Sequence, residues 1–287
     1  MTTEKKTPIT KTSYQDQANS LAPGLFRTGK RGELNGKGMR VTYQLNENTS
    51  VLFMGVALGV PELRLLQAIT ALAALKETKI IELNTDDAND RQLVLLGDLT
   101  GIRPSTKSAM VCTTYNALMR EAGYSSESKD VRDDMKRYLQ NLAAVTCVLQ
   151  GEHTEKAADT RLLLYKVDDT TGEIEISLNT RLTSAIIGNS RFTIVDMDEA
   201  RALKTDPARL LHNRLSAVVD VGKSRVFSLD TLMSYVWPEP ATGSTMRMRR
   251  KAIREALNNI SATPNWAIDP VDEKSQVKIF RNLKRKP

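Results

Sequence analysis

An α+β fold is predicted here, with two successive helix-rich modules that each close on a β-hairpin, behind a basic N-terminal arm. Three observations predict it. Apolar residues at helical spacing give way to strand-like alternation, that order of patterns occurs twice, and cationic charge gathers at both ends of the 287 residues. Three helices followed by a hairpin is the order of a winged helix. The expected organisation is therefore an arm over residues 1–40, a first winged-helix domain over 41–180 and a second over 181–287.

The elements justify this in order. Residues 1–40 are polar and rich in Gly, Thr and Asn, with one apolar island at Leu21-Ala-Pro-Gly-Leu-Phe26; they read as a mobile arm with a docking segment. Pro61 suits the first position of a helix whose Leu65, Ile69 and Leu72 share a face with Leu66 and Ala73. A second helix fits residues 114–122, ending at Gly123. A third carries Val131, Met135, Leu139 and Leu142 at helical spacing. Strands follow over 144–150, 161–167 and 173–178, the last two joined by the turn Asp168-Asp-Thr-Thr-Gly172.

The second set begins at Asp206-Pro207, with Leu211, Leu215 and Val218 on one helical face. A short strand fits 224–228, a helix 229–237 stopped by Pro238, and a long helix runs from Gly243 to about Ile260. Residues 265–268 and 276–281 read as a hairpin. Leu118-Met119 and Leu232-Met233 occupy equivalent places, which marks an internal duplication. Trp237, just before Pro238, is expected to be buried as an anchor. Cys112 and Cys147, both in apolar surroundings, read as two buried reduced thiols.

Charge points to the partner. Residues 243–287 carry eleven cations against four anions and residues 1–40 eight against three, within a chain of net charge +7. A polyanion is the expected ligand, because phosphate contacts release condensed counterions. On the helix from Gly243, Met246, Ile253, Leu257 and Ile260 fall on one face, and Arg247, Lys251, Arg254 and Asn258 on another, with Arg250 beside them. Glu255 is its one anion, where a solvated helix would mix signs. Arg pairs well with guanine or phosphate, and Ser244 and Thr245 can offer hydroxyls and N–H groups at the helix start. Lys274 and Lys278 on the second hairpin are further candidate DNA contacts. So are Arg132, Lys136 and Arg137 on the first module's third helix, although Asp130, Asp133 and Asp134 there fit an ordinary charge-laced helix equally well.

Catalytic motifs do not assemble. Gly222-Lys223-Ser224 lacks the glycine that a phosphate-binding loop needs at position 217, which is Ala, and reads as a turn into a strand. His153 and His212 are the only histidines, too few for the paired-His metal site of a DNA-nicking enzyme; His212 reads as a packing or capping residue. Asp196-Met-Asp198-Glu199 reads as the acidic start of a helix. No cofactor or metal is expected. The absence of a long apolar run, including in residues 1–12, predicts a soluble, cytoplasmic protein.

Several segments resemble the IncQ-type plasmid replication initiator family, the RepC proteins. They are Leu21-Ala-Pro-Gly-Leu-Phe-Arg27 with Lys30-Arg-Gly-Glu33, Ala208-Arg-Leu-Leu-His212, Tyr235-Val-Trp-Pro238, Gly243-Ser-Thr-Met-Arg247 and Arg254-Glu-Ala-Leu257, in this order along the chain. The resemblance implies binding to direct repeats (iterons) in double-stranded origin DNA, opening of an adjacent AT-rich segment and admission of a plasmid-encoded helicase. It places Arg247, Arg250 and Arg254 in the DNA-contacting helix. Self-association along the repeats is a further expectation, as is engagement of one repeat of roughly 20 bp by both modules, one helical turn apart. The alternative is a winged-helix repressor that regulates its own gene through the same DNA site. Both readings exclude an enzyme: the purified protein should neither hydrolyse ATP nor nick supercoiled DNA. Metal-dependent nicking that is lost in Asp196→Asn or Asp198→Asn would reverse this expectation.

Overall fold

The computed structural model describes residues 8–29, 33–34, 36–75, 78–82, 107–126, 128–151, 159–271 and 276–282. At its centre lies helix α2 (Val60–Ala73), which is buried on nearly every side. Its sequence, Val-Pro-Glu-Leu-Arg-Leu-Leu-Gln-Ala-Ile-Thr-Ala-Leu-Ala, has almost no polar stripe, and an all-round apolar helix belongs inside. Pro61 occupies its first turn as expected, and Glu62 reaches back to accept from the Gly59 amide at 2.8 Å.

Much of the described part of the segment expected to be a mobile arm, from Thr10 to Phe26, is part of this core. Strand β1 (Thr12–Asp16) pairs antiparallel with β12 (Phe192–Asp196), and α1 (Gln17–Leu21) follows it. Ser13 and Gln15 are fully buried, bonded to Thr70 of α2 at 2.8 and 2.9 Å. Arg181 holds Asp16 through two bonds of 3.0 and 2.8 Å. Ile9 and Thr10 give their amides to the buried carboxylate of Glu121, at 2.9 and 3.1 Å. The segment looked solvated because its inward residues are polar, and they are buried only because the rest of the chain supplies partners.

The expected order of three helices and then a hairpin occurs twice, each time with a strand ahead of the second helix, although in the first unit one further strand (Lys79–Glu82) precedes that strand and two strands of another sheet interrupt the chain before the hairpin. The first unit is α2, β7 (Lys107–Thr114), α3 (Tyr115–Glu121), α4 (Lys129–Ala143) and the hairpin β10 (Leu163–Val167) and β11 (Glu173–Leu178). The second is α7 (Asp206–Val218), β13 (Ser224–Ser228), α8 (Leu229–Val236), α9 (Gly243–Ser261) and the hairpin β14 (Trp266–Pro270) and β15 (Gln276–Arg281). In both, the last strand lies between its hairpin partner and the strand before the second helix. Their registers match: Thr114 pairs with Glu173 and Ser228 with Gln276, and each of Thr114 and Ser228 caps the following helix. Leu118-Met119 and Leu232-Met233 are buried in equivalent positions.

Other expectations need correction. The strand expected over 144–150 forms, but in a sheet apart from the first hairpin. As β8 (Thr146–Gly151) it joins a separate sheet of order β3-β4-β8-β9, with β3 (Gly38–Asn46), β4 (Thr49–Val56) and β9 (Asp159–Arg161). The single strand expected over 161–167 is two: the chain leaves that sheet at buried Leu162 and enters the hairpin at Leu163. Among the thiols Cys147 is buried, its pKa pushed up to about 12 by desolvation, but Cys112 is exposed. Trp237 is only half-buried, and Trp266 takes the anchoring role. Gly222, with φ near +79°, forms the turn into β13 as expected. No described helix is long and apolar enough to cross a membrane.

One cluster of buried side chains runs through both units, from Leu25 and Phe53 to Ile260 and Ile279. The two expected domains therefore share a core. Trp266→Ala should cost about 3–5 kcal/mol in urea denaturation, the usual loss for a buried Trp, and Trp237→Ala less than half as much. Equal losses would show that Trp237 is the true anchor.

Candidate nucleic-acid interface

Helix α9 carries the candidate site. Ile253, Ala256, Leu257 and Ile260 point into the core against α7, α8 and β14, leaving the opposite face to solvent. Arg247, Lys251, Arg254 and Asn258 are all exposed on that outer side, as the helical wheel required. Ser244 and Thr245 are exposed in the first turn. No side chain caps this N-terminus, nor that of α7, whereas Thr114, Ser128, Asn179, Asp196 and Ser228 cap α3, α4, α5 (Thr180–Ile186), α6 (Met197–Ala202) and α8. The first-turn N–H groups are thus open to an anion.

Two cations of α9 are tied back to the protein. Arg250 grips Asp230 of α8 through contacts of 2.9 and 3.2 Å. Arg249 lies over the Trp237 ring at 5.3 Å and donates to the Glu239 carbonyl at 2.6 Å. Arg27, next to the buried island at Leu25-Phe26, pairs with the Glu239 carboxylate at 3.1 Å. Arg250 was expected beside the DNA-facing residues; its bonds make it a clamp between α8 and α9. Asp230 and Glu239 escaped the sequence reading because nothing in their spacing links them to α9.

Lys278 is exposed on β15, opposite Val226 and Asp269. Lys274 lies outside the described residues. On α4 the candidate cations have local partners. Arg132 donates to Asn116 at 2.9 Å, Lys136 sits 3.6 Å from Asp133 and over the Tyr115 ring, and Arg137 bonds Asp134 at 2.7 Å. The Lys136–Asp133 and Arg137–Asp134 pairs are of the kind a charge-laced helix makes. The two third helices are equivalent in topology but unlike in charge.

A buried polar cluster sets the second hairpin against the helices. Glu199 accepts from His212 Nε2 at 3.1 Å, Trp266 Nε1 at 3.0 Å and the Asn265 amide at 2.9 Å. Burial pushes its carboxyl up, but the His212, Asn265 and Trp266 hydrogen bonds outweigh burial and hold it below the usual carboxylate range. Arg281, at the end of β15, donates to the Ser216 and Ile194 carbonyls at 2.8 and 2.6 Å. His212 is a packing residue, edge-on to Trp266. Asp196 caps α6, accepting from the amides of Asp198 and Glu199, so the acidic run is a helix start.

The comparisons with known proteins bear on this arrangement. A family model described as Replication protein C (RepC) matches residues 8–280. The chain belongs to the RepC family. That span takes in the buried N-terminal strand, the first repeated unit, all of α9 and the second unit as far as residue 280, and it makes this RepC-family protein a replication initiator. No curated protein matches it. Its fold resembles the crystal structure of selenomethionine derivatives of domain 2 and domain 3 of RctB, with a TM-score of 0.57 over 93% of this chain and 98% of that one. At 10% identity the likeness is one of fold alone.

The lowered Glu199 carboxyl has a pH consequence. A depressed folded-state pKa adds stability that is fully present above the unfolded value, near 4.3, and is lost as pH falls from there through the lower folded-state value. Urea midpoints of wild type and Glu199→Gln should therefore differ most near neutral pH and converge as pH drops below about 4.5. A gap that stays constant would mean Glu199 is held as the neutral acid.

Proposed function

We propose that this RepC-family protein initiates plasmid replication by binding direct repeats in duplex origin DNA, and that its two repeated units are winged helices. The second unit lays α9 in the major groove. The observation that carries this reading is the exposed row Arg247, Lys251, Arg254 and Asn258 on a helix whose first turn has no side-chain cap. Arg247 and Arg254 can each meet phosphate or a guanine edge. Asn258 has the paired donor and acceptor that match adenine. Lys278, on the hairpin, would meet the flanking backbone.

The first unit plays the lesser part, because its cations are paired with Asp133, Asp134 and Asn116. Binding then needs no active site of its own. Several copies along the repeats would supply free energy, part of it spent in deforming neighbouring AT-rich duplex, which flexible TA steps yield most cheaply. A plasmid-encoded helicase would be admitted there, and the protein would work in the cytoplasm on plasmid DNA. The fold argues against testing the second unit by excision, since residues 181–287 alone would strip β12 of its partner β1.

Point variants test the interface instead. Arg247→Ala or Arg254→Ala should cost about 1–3 kcal/mol on the specific repeat if the residue reads a base. A phosphate contact would lower affinity on all sequences and reduce the salt slope by about one unit. Arg132→Ala and Lys136→Ala should cost less than either. The reverse order would move the interface to α4. Permanganate footprinting on supercoiled origin DNA should show strand opening beside the bound repeats, and full protection without opening would leave a repressor.

A further inference from the structure

Resting on the reading that α9 enters the major groove, we infer that Met248 determines specificity by packing against the C5-methyl of a thymine. Met248 is 72% exposed, the most exposed large apolar side chain among the described residues. Single exposed apolar residues are common on protein surfaces, so exposure alone decides nothing. Its setting does.

Within Arg247-Met248-Arg249-Arg250-Lys251 the neighbours at 249 and 250 turn back onto Trp237 and Asp230. Arg247, Met248 and Lys251 are the ones that project outward. Ser244, Met248, Lys251 and Glu255 follow one another at helical steps along the ridge opposite the buried Ile253, Ala256, Leu257 and Ile260. A helix about 10–12 Å across fills a major groove about 12 Å wide, so this outer ridge reaches base edges, and the adjoining row Arg247, Arg254 and Asn258 reaches either base edges or the sugar-phosphate walls. Met248 is therefore placed over the groove floor.

What it can meet there is narrowly defined. The cations around it would be desolvated at a cost by an apolar protein partner. Duplex DNA offers the required combination: a polyanionic surround and, on the major-groove floor, the thymine methyl as its apolar group. Met is well suited to it, because an unbranched thioether can adapt its rotamers to a small protruding methyl.

The test uses the full-length protein and a preferred duplex recovered by selection from a randomised library. Each thymine of that duplex is replaced in turn by deoxyuridine, which removes only the methyl, and affinities are read by fluorescence anisotropy. Wild type should lose about fourfold at one thymine, the value of a single methyl-sized contact. Met248→Ala should bind the thymine duplex about fourfold more weakly and show no further loss with uracil at that position. Met248→Leu should keep the thymine preference. Both variants should melt as wild type does, since the side chain is exposed. A selected duplex whose thymines all accept uracil without loss, or an alanine variant with the wild-type penalty, overturns the role of Met248 and leaves α9 as the reading helix. A selection that returns no preferred sequence overturns sequence reading by α9, and Met248 with it.

Discussion

The structure depends on the burial of α2. A helix with apolar residues on every face cannot sit at a surface without exposing large side chains, so chain must close around it from all directions. The first unit supplies α3 and α4, the second supplies α7, and the N-terminal segment supplies β1. Because α2 also opens the first repeated unit, enclosing it couples the two units. Gln67 of α2 bonds Asn213 of α7 at 3.0 Å, and Thr70 bonds Ser13 and Gln15. The two repeated units thereby share one buried core.

That coupling also explains where the polar investment lies. Glu121 and Arg201 meet across the seam at 3.1 Å, with Arg201 donating as well to the carbonyls of Glu121 and Thr10 at 2.9 Å. Glu199 ties α6 to α7 and to the root of the second hairpin. Buried charges of this kind add little net stability but are costly to leave half-made, so they select one arrangement of the elements they join. Here the selected arrangement orients the hairpin β14–β15 relative to α9.

The repeated units differ through side-chain pairing, with topology held constant. Caps, registers and buried Leu-Met pairs correspond. Yet α4 pairs Lys136 and Arg137 with aspartates three residues away, whereas α9 has Glu255 as its one anion, 3.9 Å from Lys251, and turns two arginines inward to brace its own start. Surface pairs of the α4 kind are worth little in stability; their effect is to lower the field that the first unit presents to a polyanion. The outward charge of α9 carries a repulsive cost that a phosphate backbone would relieve.

Periodicity and charge in the sequence by themselves determined α2, both sets of three helices, both hairpins and the outward row on α9, because these depend on residues a few positions apart. Local patterning could also place the caps at Ser128 and Ser228 and the turn at Gly222. Only the tertiary structure decided that the N-terminal segment is a buried strand, that Trp266 and not Trp237 is the anchor, and that Arg250 is a clamp and not a free cation. In each case the deciding partner is remote: Ser13 meets Thr70, Trp266 meets Glu199, and Arg250 meets Asp230. A polar residue's fate depends on whether a distant group satisfies its hydrogen bonds, and no local period encodes that.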